Sequence, residues 1–210
     1  MIIDHENRLA MEKVLDALHD GDIFVYPTDT LYGFGGDARS AENIRKIYEI
    51  KERPPHMPVS IIVKDPEMIS EYACVSDLSA SLIRHFLPGA LTLVLPAGDR
   101  ELPEQLFGEN RYLGFRIPDH PFCKKIMEVF PHPLISTSVN ISGKEAMKHI
   151  GDIKKYFGDR IPLLICDSEL EKKRDPSGST VIKVDRKDKL HLLREGKLSF
   201  SGIKDTIHHM

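Results

Sequence analysis

The chain has 210 residues, 41% hydrophobic and 29% charged, which is enough apolar material for one sizeable core. Its formal net charge of −3 argues against generic binding to nucleic acid, which would need a broad basic face. No apolar run approaches the length of a membrane span, and Met1 to Glu12 carries acidic side chains rather than a signal-peptide core. Cys74, Cys123 and Cys166 fit neither a disulfide framework nor a zinc pattern, so a cytoplasmic, reducing setting is expected.

Met11, Val14, Leu15 and Leu18 recur at helical spacing, with Gly21 placed to stop the helix. Ile23 to Tyr26, closed by Pro27, reads as a buried strand that feeds the glycine-rich stretch Gly33-Phe34-Gly35-Gly36. Ser40 is a good N-cap for a helix that buries Ile44, Ile47 and Tyr48 and stops at Pro54-Pro55. Val59 to Val63 is the next strand. Leu82, Ile83 and Phe86 mark a helix ended by Pro88-Gly89, and Leu91 to Leu95 a strand. Leu113 to Ile117 reads as a strand, Phe122 to Phe130 as a helix, and Leu134 to Thr137 as a strand. Leu163 to Cys166, Thr180 to Val184 and Leu190 to Leu193 are three late β-like runs with little helix between them. Helices interleave with strands early and strands crowd together late, which predicts a single α/β domain over 1–210, with its core at about 6–200, built on a mixed sheet.

Three clusters carry chemistry. Lys51-Glu52-Arg53 closes a helix just before a proline that disfavours helical backbone at Arg53. In an extended turn both cations share a side and can clamp phosphates; at a solvated helix end they merely complement the dipole. Ser136-Thr137-Ser138-Val139-Asn140 ends a strand, where its hydroxyls and amide either meet a ligand or close an Asx or ST turn. Thr28, Asp29, Thr30 and Tyr32 leave the first strand, and the glycines behind them permit close backbone approach. Gly33, Gly35 and Ala38 loosely fit a dinucleotide fingerprint, but Pro27 closes the strand too far ahead of Gly33 for that motif. Arg116 and Arg194 each end a strand, a position suited to binding a carboxylate or phosphate. There is no P-loop, zincin or nucleophile-elbow motif, and His120 reads as structural.

With these clusters in this order, the chain resembles the YrdC-like family of threonylcarbamoyl-AMP synthases from about Asp22 to Gly196. The resemblance implies a twisted mixed sheet flanked by helices around a concave ligand cleft. It implies that L-threonine, bicarbonate and ATP are joined into threonylcarbamoyl-AMP with release of pyrophosphate. A downstream transferase complex would then pass the product to the tRNA adenosine beside the anticodon. By resemblance, Lys51, Arg53, Thr92, Ser138, Asn140 and Arg194 serve ATP, whereas Thr30, Arg116, Ser136 and Thr180 serve threonine. The substrate's own carbamate oxygen can attack, so no protein nucleophile or resident metal is expected, and Mg²⁺ would ride on the nucleotide. Glu52 stands where the family frequently has glycine, Val139 where it has alanine, and Glu195 where proline is common. The alternative is an RNA-binding module of the same fold with a vestigial pocket.

Overall fold

A computed structural model describes residues 1–54, 57–173 and 177–208. In chain order the strands are β1 (Ile2–Asp4), β2 (Phe24–Pro27), β3 (Tyr32–Gly35), β4 (Ser60–Ile62), β5 (Leu91–Pro96), β6 (Tyr112–Arg116), β7 (Leu134–Ser138), β8 (Leu163–Cys166), β9 (Thr180–Val184) and β10 (Leu190–Arg194). The helices are α1 (Arg8–His19), α2 (Ala41–Ile50), α3 (Pro66–Tyr72), α4 (Asp77–Phe86), α5 (Pro121–Val129), α6 (Ile150–Phe157), α7 (Ser168–Glu171) and α8 (Phe200–His208). All ten strands join one sheet in the order β1-β8-β2-β3-β7-β4-β6-β5-β9-β10. Parallel pairs such as β4/β6 and β5/β9 alternate with antiparallel ones such as β4/β7 and β5/β6, so the sheet is mixed as expected. Among the described residues, no helix is long and apolar enough to cross a membrane.

Two strands depart from the sequence reading. The segment expected to be a glycine-rich connection is β3, which pairs antiparallel with β2 in the middle of the sheet. Its glycines answer a packing demand: a Cβ on Gly35 would lie 2.8 Å from the ring of Phe24 and 2.9 Å from that of Tyr26. At the other margin β1 pairs in parallel with β8, so the sheet begins at Ile2 rather than near residue 6. Ile203 of α8 is buried as well, carrying the core past residue 200. His120 is structural: its Nδ1 accepts from Phe122 N and caps α5, while Nε2 lies 2.9 Å from Asp167 Oδ2.

The end of α2 also corrects the extended turn expected at Lys51-Glu52-Arg53. Lys51 keeps helical backbone (φ −87°, ψ −6°), and Glu52 is left-handed with φ 50°. Glu52 N donates to Glu49 O at 3.1 Å and Arg53 N to Tyr48 O at 2.8 Å. This pair of bonds is the Schellman closure of a helix, which favours glycine at the left-handed position. The expected stop at Pro54-Pro55 holds at Pro54; Pro55 lies outside the described residues. Left-handed backbone costs a side-chain-bearing residue about 1–2 kcal/mol, partly offset by the extra freedom glycine brings to the unfolded chain. Glu52→Gly should therefore stabilise the fold by about 0.5–1 kcal/mol, raising Tm by roughly 2–4 °C per kcal/mol for a chain of this size. Thermal melts of the two proteins check this.

Candidate functional site

The cleft arises from strand alternation. On β4, β5, β6 and β9, Ile61, Leu93, Phe115 and Ile182 turn to the core and are fully buried. Their neighbours Ser60, Thr92, Val94, Tyr112, Gly114, Arg116, Val181 and Lys183 face the other way and line a cleft of about 660 Å³. Gly114 is required there, because a Cβ would sit 2.4 Å from Ser60 Oγ. Ser136, Thr137 and Ser138 of β7 continue the lining, and Thr28, Thr30 and Gly33 close one side. Arg53, Ser179 and Arg194 complete the polar inventory.

Seven of the residues expected at a site therefore line the cleft: Thr30, Arg53, Thr92, Arg116, Ser136, Ser138 and Arg194. Lys51, Asn140 and Thr180 do not. Thr180 shares its face with Ile182 and Val184 and is fully buried. Its hydroxyl accepts from Gly196 N (3.0 Å) and Leu198 N (3.1 Å) and donates to Leu198 O, holding the turn after β10. Its expected place on the cleft lining is thus corrected: its neighbour Ser179 lies there instead, with Oγ 2.7 Å from Thr92 Oγ1.

Asn140 is likewise engaged within the protein. Its Nδ2 donates at 2.8 Å to Ile141 O and at 2.8 Å to Lys144 O. Its Oδ1 accepts from Ser138 Oγ at 2.6 Å and from Lys51 Nζ at 3.1 Å. Both protons and both lone pairs of the amide are spent, so Asn140 knots the loop after β7 instead of reaching a ligand. Ser138 keeps an acceptor lone pair for the cleft.

Lys51 is fully buried beneath this knot. Its ammonium donates to Ser138 O, to Asn140 O at 3.0 Å and to Asn140 Oδ1, tying the end of α2 to the end of β7. Loss of hydration first, and the Arg53 guanidinium second, pull its pKa down to about 7. Three oxygen acceptors favour the ammonium, the only form that carries three protons.

Arg53 donates from Nε to Met57 O (2.8 Å) and from an Nη to Pro58 O (2.6 Å), fixing the chain as it enters β4. Across the cleft, Arg116 Nη2 donates to Asp29 Oδ1 at 2.6 Å and to Thr30 Oγ1 at 2.8 Å. Thr28 Oγ1 accepts from Leu31 N and donates to Leu31 O, shaping the loop that presents Asp29 and Thr30. Arg194 donates to Ser179 O at 2.9 Å; partial desolvation, then the nearby Arg116, lower its pKa. Ser60, Tyr112, Gly114 and Lys183 were missed by the sequence reading. Their signal was a polar or small residue at every second position of otherwise apolar strands.

A family model described as "Telomere recombination" (Sua5/YciO/YrdC) matches residues 16–196. The putative threonylcarbamoyl-AMP synthase of Methanocaldococcus jannaschii is 35% identical over 193 residues, covering 92% of this chain and 88% of that protein. The threonylcarbamoyl-AMP synthase of Yersinia enterocolitica is 31% identical over 163 residues, 76% of this chain and 85% of that protein. Among solved structures, P. abyssi Sua5 complexed with L-threonine superposes with a TM-score of 0.88 at 28% identity, covering 99% of this chain. This chain spans only 61% of that protein's length. E. coli YciO shares the fold, with a TM-score of 0.83 at 24% identity over 95% of each chain.

Two outcomes are expected. Asn140→Ala strips partners from two partly buried carbonyls and from buried Lys51 and should destabilise the fold by about 1–3 kcal/mol in urea denaturation. The pH dependence follows from Lys51: its folded pKa of about 7 lies below the ordinary 10.5, so between those values the unfolded chain binds the extra proton. This group's contribution to stability should therefore rise with pH across that window. Lys51→Met should flatten the rise in denaturation midpoints measured from pH 7 to 10.

Proposed function

This chain belongs to the Sua5/YciO/YrdC family, and on that premise we propose that it is an L-threonylcarbamoyladenylate synthase. The observation that carries the reading is the cleft itself: cations and hydroxyls on a sheet floor, with no activated nucleophile among the lining residues. In the reaction the threonine nitrogen takes up bicarbonate as a carbamate with loss of water. A carbamate oxygen then bonds to the α-phosphorus of ATP as the bond to pyrophosphate breaks. The protein's work is alignment and stabilisation of charge on the departing phosphates.

In this reading Arg116 meets the threonine carboxylate with Nη1. Its Nη2 is committed to Asp29 and Thr30, which fixes the plane of the guanidinium before substrate arrives. Thr30 and Ser136 flank the amino acid. Arg53, Arg194, Thr92 and Ser138 take the nucleotide. Lys51 and Asn140 act from beneath by holding the backbone of residues 138–140 in place. Mg²⁺ would neutralise phosphate charge when bound. The cleft's donor set suits a cation carried by the nucleotide, since Glu109 is the one carboxylate among the described lining residues and nearby Asp29 is already paired with Arg116. The product would pass to a tRNA threonylcarbamoyl transferase in the same reducing compartment, a setting that suits three free cysteines. The arginines and hydroxyls that line the cleft favour the enzyme over an RNA-binding module with a vestigial pocket.

Purified protein should form an AMP-linked threonylcarbamoyl product, detected by mass spectrometry, only when threonine and bicarbonate are both supplied with ATP. Equal ADP release without threonine would make it an ATPase instead. Arg53→Ala should weaken ATP binding by about 1.5–3 kcal/mol in calorimetry while leaving threonine binding near its original value.

A further inference from the structure

Lys183 stands apart from the other cations of the cleft. Arg53, Arg116 and Arg194 each donate to protein oxygens. Lys183 makes no hydrogen bond or ion pair with any described residue; its ammonium rests over the ring of Tyr112, 3.8 Å from the centroid. Asp185, two residues on and just past the end of β9, is not its counter-ion. Asp185 Oδ2 lies 2.8 Å from His191 Nε2, while Oδ1 accepts from Lys187 N and Lys189 N. Glu109 is the carboxylate on the cleft lining near this end, carried by the turn that joins Gly108 to Tyr112. A half-buried ammonium held by a ring face, with the neighbouring carboxylate occupied elsewhere, is a site prepared for an anion.

Its place in the cleft selects the anion. Arg53 holds Pro58 O, and the Pro58 ring packs where a Cβ on Gly108 would fall, at 3.1 Å. Gly108 bridges to Tyr112, which carries Lys183. Arg53 and Lys183 thus flank one end of the cleft. Lys183 also pairs with Val94, Val94 with Gly114, Gly114 sits against Ser60, and Ser60 pairs with Ser136, so a single row of the sheet runs from Lys183 to Ser136. Four strand spacings make that row roughly 19 Å long, room for an extended nucleotide.

We propose that Lys183 binds the polyphosphate tail of the nucleotide and holds pyrophosphate as it leaves. The proposal rests on the nucleotide reading given above. Lys183 stays an ammonium throughout: it donates hydrogen bonds to phosphate oxygens while the bond between the α-phosphorus and pyrophosphate breaks.

Calorimetric titration with ATP, inorganic pyrophosphate and adenosine tests it on the wild type, Lys183→Met, Lys183→Arg and the exposed control Lys125→Met. Lys183→Met should raise the dissociation constants of ATP and pyrophosphate about tenfold or more, the scale of a hydrogen bond to a charged group. Lys183→Arg should recover most of the loss, Lys125→Met should change nothing, and adenosine should bind all four proteins alike. Should Lys183→Met melt early, Lys183→Gln takes its place. The proposal is overturned if pyrophosphate binds Lys183→Met within twofold of the wild type, or if adenosine weakens in step. A wild type that binds neither ATP nor pyrophosphate would instead overturn the nucleotide reading, and this proposal with it.

Discussion

Neighbouring residues of a β-strand point to opposite faces of its sheet, and the central strands here divide their sequences accordingly. Ile61, Leu93, Phe115 and Ile182 occupy one face and are fully buried. On the other face, Ser60, Gly114, Thr92 and Ser136 leave a furrow floored by small polar groups. Val94 and Val181 share that face, so the furrow combines apolar walls with polar groups able to orient a ligand. Polar residues on a rigid sheet also hold their positions more closely than residues on loops would.

The rim of the furrow is set by charge. Arg116 and Asp29 form a largely buried pair at 2.6 Å, and Thr30 takes the second proton of the same Nη. Such a pair adds little net stability once desolvation is counted, but it orients a planar fork. Arg53 does similar work with two backbone carbonyls. Cations fixed in this way need not reorganise when a phosphate or carboxylate arrives, which is the condition for stabilising charge that develops during reaction.

Behind the rim, a buried ammonium joins two elements far apart in the chain. Lys51 ends α2 and bonds the backbone that follows β7. The Schellman turn through Glu52 reverses the chain so that Lys51 turns inward while Arg53 reaches the cleft. Two cations separated by one residue therefore have different jobs. The left-handed backbone at Glu52 is one that glycine adopts without a side-chain penalty, and Glu52 bears the conformational strain. Val139 is fully buried beside the same loop.

Hydrophobic periodicity and punctuation by Gly, Pro and Ser made α1, α2 and most central strands legible, because those signals are local. Arg116, Ser138 and Thr30 were legible as cleft-lining residues because they end strands or leave them. β3 was not legible: its glycines look like a loop until Phe24 and Tyr26 from the adjacent strand are seen lying across Gly35. Thr180 and Asn140 looked like ligand contacts because a hydroxyl or an amide beside a strand end is ambiguous by type. Their partners, Leu198 and Lys144, lie in turns whose return to those side chains only the folded chain defines. The sequence by itself determined which residue types were available to bind anions. The tertiary structure decided which of them face the cleft, because sheet register and turn geometry depend on contacts between distant segments.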